Sequence, residues 1–319
     1  MFSGLLSNTR LKAQLEGAVR NNTPSHAYLL CGAEGSGKKT AARLLARAIV
    51  GKNPEKADRG THPDIIAIRP EAEKKTVTLY QIRDMRADAF VNPTEGTRKI
   101  YIIEPAHLVN ENGQNALLTV LEQPPSFVVF ILLAESREQM LPTVVSRCTV
   151  FDMEYVDPKE GADFLSKRYP KLPYARLETA MHAAQGNVGL AIKLARTDTL
   201  EKNGKLCERV LVAMANGDGY TAATILTTLK KNTAQPLLSM LAMYLRDVAV
   251  YRVSKNADNL VFRDSILQNV KTFDKIDINV LYNGVVAAEN AIAMIDANVN
   301  ATVVTADLVI QLFGGRSID

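Results

Sequence analysis

The chain has 319 residues, 47% of them hydrophobic and with no long polar tract, enough to bury the cores of two or three domains and to exclude a disordered protein. Its longest apolar runs, such as residues 127–134, are far too short to span a bilayer, and the N-terminus lacks a signal-peptide pattern. A cytoplasmic protein with no membrane partner is expected. The net charge of +4 hides an asymmetry: residues 1–60 hold ten Lys and Arg against four Asp and Glu, which fits either a basic face for nucleotide or nucleic acid or ordinary solvated lysines.

In chain order, the first informative segment is an apolar run, residues 27–31, followed by Gly32-Ala33-Glu34-Gly35-Ser36-Gly37-Lys38-Lys39-Thr40 and a helix-like run over 41–50. Strand, glycine loop and helix is the order a phosphate-binding loop requires. Gly32, Gly35 and Gly37 let backbone N–H groups turn toward phosphate oxygens, and Lys38 reaches the terminal phosphates from a helix N-terminus suited to anions. Lys39, however, stands at the Ser/Thr position, where a hydroxyl coordinates Mg²⁺, and a protonated ammonium cannot be a metal ligand. Thr40 comes one residue late. Lys38 therefore has two readings: a residue that still binds nucleotide, or a surface lysine after a glycine turn.

Helical and β-rich runs alternate through residue 150, which predicts a parallel sheet covered by helices on both faces, with strands at 27–31, 65–68, 99–104, 128–134 and 149–152. The third strand leads into Glu104-Pro105-Ala106-His107. Glu104 stands where an Asp would hold the hydration shell of Mg²⁺, and Pro105 stands where a Glu would deprotonate water. Loss of a general base alone costs about 10²–10⁴ in rate. His107 reads as a packed or solvated residue.

Beyond Tyr155 the strand signal ends. A helix should start at Asp157-Pro158, break over 169–173, and resume over 175–184 before the turn Gln185-Gly186-Asn187. From about 206 the chain is helical, with Leu237, Leu241, Leu245, Val248 and Tyr251 spaced as one apolar stripe and later runs over 279–298 and 302–313. Cys31, Cys148 and Cys207 lie far apart and read as buried free thiols. Neither they nor His26, His62, His107 and His182 show metal-ligand spacing, so no metal site is expected.

Several short motifs occur together in this order: Ser25-His26-Ala27-Tyr28-Leu29-Leu30, His62-Pro63-Asp64, Gln81-Ile82-Arg83, Asn115-Ala116-Leu117-Leu118, Leu121-Glu122-Gln123-Pro124-Pro125, Ser146-Arg147-Cys148 and Asn298-Val299-Asn300. Over essentially the whole chain they resemble the clamp-loader AAA+ subunits of bacterial DNA polymerase III, and among these the delta prime type. The resemblance implies an α/β P-loop (AAA+) domain with a parallel sheet over 1–156, a small helical lid over 157–203, and an all-α bundle over 204–319 that joins the collar of a hetero-oligomeric ring. ATPases of the family carry an Arg in a Gly-x-x-Arg lid turn, which would give a charge-assisted bond to the terminal phosphate. The matching turn here, Gly186-Asn187-Val188-Gly189, ends in glycine, and Ala134-Glu135-Ser136 puts a carboxylate where they place a polar sensor.

Ser146-Arg147-Cys148 matches the family's arginine-finger motif, in which the Arg enters a neighbouring subunit's ATP site and is worth about 10³–10⁵ in rate. The other reading of Arg147 is a helix cap or structural ion pair. Asn115 and Glu122 read as structural or subunit-contact residues beside the buried face of a helix. Relatives often carry a four-cysteine zinc module, but residues 51–61 contain no cysteine, so zinc is not expected. What the resemblance implies is a largely non-hydrolysing stator, an accessory subunit without polymerase or effective ATPase activity of its own. Arg147 would act in trans, and a degenerate nucleotide site of Gly32, Gly35, Gly37, Lys38, Thr40 and Glu104 would require no cofactor and bind ATP or ADP weakly. The implied partners are gamma/tau and delta subunits and, through the complex, the sliding clamp and primed DNA, with any DNA contact made through phosphates. The alternatives are an active gamma/tau-type ATPase subunit, or a P-loop NTPase or kinase acting alone.

Overall fold

The structure, a computed structural model, describes residues 2, 4–71, 74, 76–257 and 260–314. It contains two compact units, one made of Met1–Asp157 with Asn187–Gly189, the other of Pro158–Gly186 with Leu190–Asp319.

The first unit is built on five parallel strands, β1 (Ala27–Cys31), β2 (Ile65–Ile68), β3 (Lys99–Ile103), β4 (Val128–Ala134) and β5 (Thr149–Asp152), in the order β2-β3-β4-β1-β5. Side chains alternate between two cores. Ala27, Leu29, Cys31, Tyr101, Phe130 and Leu132 enter one, and Tyr28, Leu30, Ile100, Val129, Ile131 and Leu133 enter the other. Burial on both faces is why β1 and β4 read as unbroken apolar runs. On the second core lie α1 (Thr9–Arg20) and α2 (Lys38–Ile49), and on the first α4 (Leu79–Asp88), α5 (Glu111–Glu122) and the single turn α6 (Pro142–Val145). The helix α2 begins three residues before the expected 41, at the lysine that follows the glycine loop, and β3 ends one residue before Glu104.

Residues 51–61 form the short helix α3 (Pro54–Arg59), which polar contacts fasten to the sheet. Lys56 Nζ and Asn53 Nδ2 donate to the Glu95 carboxylate at 2.6 and 2.9 Å. The fully buried Asp64 accepts backbone N–H bonds from Thr94, Glu95 and Gly96 at 2.6, 2.8 and 2.6 Å. His62 Nδ1 accepts from the Asp64 N–H, so Nε2 carries the proton and donates to Lys52 O. Burial pushes the Asp64 carboxyl up, but the three N–H bonds together outweigh it and hold it below the usual range. A second polar knot ties β3 to the end of α4: Lys99 Nζ and Tyr101 Oη both donate to the Asp88 carboxylate, at 2.8 and 2.6 Å.

The second unit is helical: α7 (Pro158–Arg168), α8 (Tyr174–Ala183), α9 (Val188–Ala195, whose first two residues belong to the first unit), α10 (Thr199–Asn216), α11 (Gly219–Leu226), α12 (Lys231–Ser254), α13 (Arg263–Gln268), α14 (Val270–Phe273), α15 (Ile278–Asp296) and α16 (Ala301–Phe313). The expected stripe is core, with Leu237, Leu241, Leu245 and Val248 buried, and α12 packs on α15 and α10. Arg176 of α8 donates to the carbonyls of Ala195 and Thr197 and pairs with Glu201, which fixes the passage from α9 to α10. Among the described residues one helix, α15, 19 residues with a mean hydropathy of 1.3, is long and apolar enough by length and composition alone to cross a bilayer, a test that a core helix also passes. Its alanines and valines are broken by Asn283 and Glu289, which hides it from a search for continuous runs. Leu281, Ala288, Ile292 and Ile295 on it are buried, and it packs on α12 and α16.

Asp64→Asn would turn an amide donor onto the N–H groups of residues 94–96, and it should cost about 2–4 kcal/mol by chemical denaturation. Because the folded Asp64 titrates below its unfolded value, its contribution is complete above about pH 4 and is lost as pH falls through the depressed value. The acid limb of the stability curve should therefore be shallower in the variant than in the wild type.

Candidate functional site

β1 sits between β4 and β5, so the chain leaving its carboxyl end enters the sheet's crevice, and the glycine loop lies there. Gly35 and Gly37 have φ of 86° and 98°, the left-handed region that glycine adopts without steric cost. The loop has the shape of a phosphate cradle, but the chain itself occupies much of it. Gly32 N–H donates to Ala134 O at 3.2 Å and Ser36 N–H to Ala33 O at 3.2 Å. Lys38 Nζ turns back onto its own loop, donating to Gly32 O and, at 2.9 Å, to Ala33 O. Burial pulls the Lys38 ammonium below its usual value, against the attraction of Glu135 and Glu34.

The segment Asn187–Gly189 closes the loop further. Asn187 Nδ2 donates to Glu34 O at 2.8 Å and Gly189 N–H to Gly35 O at 3.1 Å. A Cβ at 189 would come within 2.5 Å of Gly35 Cα, so the approach depends on the missing side chain. The glycine that sequence marks as a lost phosphate probe thus also permits a backbone seal. Ser36 Oγ is buried without a partner and is a group that a phosphate oxygen would satisfy.

The metal side is likewise neutralised from within. Lys39 Nζ lies 2.5 Å from Glu104 Oε1 and Arg69 Nε lies 3.5 Å from the same oxygen, so the carboxylate expected near Mg²⁺ already holds two cations. Arg69 O in turn accepts from Gln81 Nε2 at 2.7 Å, while Gln81 also forms a capping box with Thr78 at the start of α4. Pro105 offers no base. His107 Nε2 is 4.0 Å from Glu135 Oε1, and burial lowers its pKa, which keeps the ring neutral at pH 7. Thr40 sits half-buried in the first turn of α2, one residue beyond Lys39. Among the described residues no three His, Cys, Asp or Glu cluster as metal ligands. Burial pushes the Cys31 and Cys148 thiols up to about 11 and 12, so neither is a nucleophile. These groups do not fit a Mg²⁺-nucleotide: a lysine stands at the metal-ligand position, the nearby carboxylate is paired with two cations, and no base stands beside it.

Arg147 lies elsewhere. It precedes β5, at the amino edge of the sheet, whereas the glycine loop follows the carboxyl end of neighbouring β1, with Tyr28 opposite Thr149 and Cys31 opposite Asp152. The length of the strand, about 10 Å, separates it from its own loop. Its Nη2 lies 2.6 Å from Glu122 Oε1 and its Nη1 donates to Thr143 O at 2.8 Å, so the structural ion pair given as its other reading is present.

Sequence reasoning missed Gln114. This residue is 5% exposed on the buried face of α5; its Nε2 donates to Val109 O at 3.0 Å and its Oε1 accepts from Leu141 N–H at 2.8 Å. It therefore ties α5 to the start of α6, the single turn that precedes Arg147. A polar residue three positions before Leu117 and seven before Leu121 on an apolar face was the available signal.

A family described as DNA polymerase III, delta subunit, matches residues 7–157. The DNA polymerase III subunit delta' of Bacillus subtilis (strain 168) is 26% identical over 325 residues, covering 96% of this chain and 96% of that protein. The subunit delta' of Pseudomonas aeruginosa is 30% identical over 216 residues, 63% of this chain and 64% of that one. The subunit tau of B. subtilis is 28% identical over 212 residues, 60% of this chain but 37% of the longer relative.

Two substitutions probe the closed loop. Gly189→Ala should lower stability by about 1–3 kcal/mol in chemical denaturation, the cost of forcing a methyl against backbone; unchanged stability would mean that the 187–189 segment does not dock. Lys39→Thr, which supplies the missing hydroxyl, should still give no Mg²⁺-dependent ATP turnover in the isolated chain.

Proposed function

We propose that this chain is a delta prime-type clamp-loader subunit of DNA polymerase III, the non-hydrolysing stator of the loader, and that it lends Arg147 to the ATP site of an adjoining subunit. The observation that carries the reading is the pairing of Lys39 with Glu104 at 2.5 Å, together with the return of Lys38 to its own loop. Both cations that would meet a nucleotide are satisfied by the chain, while Arg147 sits at the far edge of the sheet, where it cannot reach that loop. Nucleotide binding at the degenerate site of Gly32, Gly35, Gly37, Lys38, Thr40 and Glu104 is weak and hydrolysis by the chain ineffective. A gamma/tau-type ATPase, or a P-loop enzyme acting alone, would need that site open.

The mechanism then runs through the assembly. The partners are gamma/tau and delta subunits in a cytoplasmic hetero-oligomeric ring, which spends ATP to open a sliding clamp and place it on primed DNA. Residues 157–203 act as the lid and 204–319 as the collar, where apolar helix surface is buried against the other subunits. Exposed apolar side chains on α15 and α16, including Tyr282, Val303 and Ile310, suit that burial. The Arg147 guanidinium, always protonated and able to present two N–H groups in a plane, stabilises charge that develops on the neighbour's transferring phosphoryl group. DNA contacts by basic residues of the first unit are to phosphates and weaken with salt.

In a complex reconstituted with gamma/tau and delta, Arg147→Ala should leave assembly intact by size exclusion and lower single-turnover hydrolysis at the adjoining site by about 10³-fold or more. Arg147→Lys should recover little, since an ammonium lacks the planar fork. Unchanged hydrolysis in Arg147→Ala would remove Arg147 from the mechanism.

A further inference from the structure

Arg147 does not wait in solvent. Its side chain is 34% exposed, and both terminal nitrogens are engaged on its own chain: Nη2 with Glu122 Oε1 at 2.6 Å, and Nη1 with Thr143 O at 2.8 Å and Ser146 Oγ at 3.4 Å. An anionic oxygen beside a guanidinium nitrogen is what a phosphate would offer the same group. Resting on the finger reading above, we infer that Glu122 is a positioning residue that parks Arg147 on its own chain and competes for it with the neighbour's phosphate.

Three observations separate this role from simple bracing. The join between α5 and α6 is already made by Gln114, buried and bonded to the Leu141 N–H. Glu122 is the last residue of α5, whose final turn carries no basic residue. A carboxylate there faces the negative end of the helix dipole, an unfavourable place unless a cation is held against it. Both members of the pair are partly exposed, the Glu122 side chain at 49%, and an ion pair open to water is weak enough to release. The contact thus has the strength of a reversible latch and not that of a structural tie. Engagement of the neighbour's nucleotide, promoted by DNA, would draw Arg147 off Glu122 and leave the carboxylate hydrated.

The test uses the reconstituted complex with gamma/tau and delta, comparing wild type, Glu122→Gln, Arg147→Ala and the double variant, with and without primed DNA. Glu122→Gln keeps the shape and one acceptor but removes the charge. It should raise DNA-free hydrolysis about two- to fivefold, the range for an exposed ion pair, with KM for ATP unchanged and the DNA-stimulated rate preserved. The gain should shrink as salt is raised and vanish in the Arg147→Ala background, neither of which a bracing role would produce. If Arg147→Ala impairs hydrolysis while Glu122→Gln leaves the DNA-free rate at or below wild type, the latch is overturned and the finger stands. If Arg147→Ala changes nothing, the finger is overturned and the latch with it.

Discussion

A buried or half-buried cation requires an anion, and in this chain the anion comes from the polypeptide. In a working phosphate loop the two lysines and the turned backbone N–H groups would face a nucleotide's phosphates and its metal. Here Lys39 is balanced by Glu104, Lys38 lies against two carbonyls with Glu135 and Glu34 nearby, and the Gly189 N–H spends itself on Gly35 O. Lys38 is partly shielded from water, whereas Lys39 is 70% exposed and its pair with Glu104 is weak, so a ligand would have to replace chiefly the Lys38 and Gly189 bonds as well as bind. The loop keeps its form because its charges are already settled.

That settlement leaves the sheet free to act as a frame. Its two edges carry different things: the carboxyl edge of β1 holds the closed loop, and the amino edge of β5 follows Arg147. Between them, α5 starts after the Glu104 region and ends at Glu122, touching the Arg147 element at both of its ends through Gln114 and Glu122. Placing a guanidinium to within a fraction of an ångström is a demand on packing, and a helix anchored by a buried amide meets it better than a loop would.

Much of this was legible in the sequence. All five strands lie within a residue of the runs expected for them; β1 and β4, buried on both faces, leave uninterrupted apolar stretches, while the edge strands β2 and β5 are short and partly exposed. Lys39 and Pro105 were legible as absences, since a hydroxyl or carboxylate is either present or not. The replacements were not legible: that Lys39 would meet Glu104, 65 positions away, or that Gly189 would admit Gly35, depends on which loops the sheet order brings together. Gln114 passed unnoticed because an amide on an apolar face has no fixed spacing to announce it. Pro236 would end a helix by local rules, yet it lies six residues into the 24-residue α12, where burial of Leu237, Leu238, Leu241 and Leu245 outweighs one lost bond.

The departures at 39 and 189 are each met by a neighbour within the chain, Lys39 by Glu104 and Gly189 by the Gly35 backbone. A hydroxyl at 39 would release Glu104 from one cation and leave it with Arg69, and a longer side chain at 189 would meet the Gly35 backbone before it met a phosphate. The glycine loop is thus closed by bonds from its own chain, while at the other edge of the sheet Arg147 and Glu122, both partly exposed, form a pair open to water.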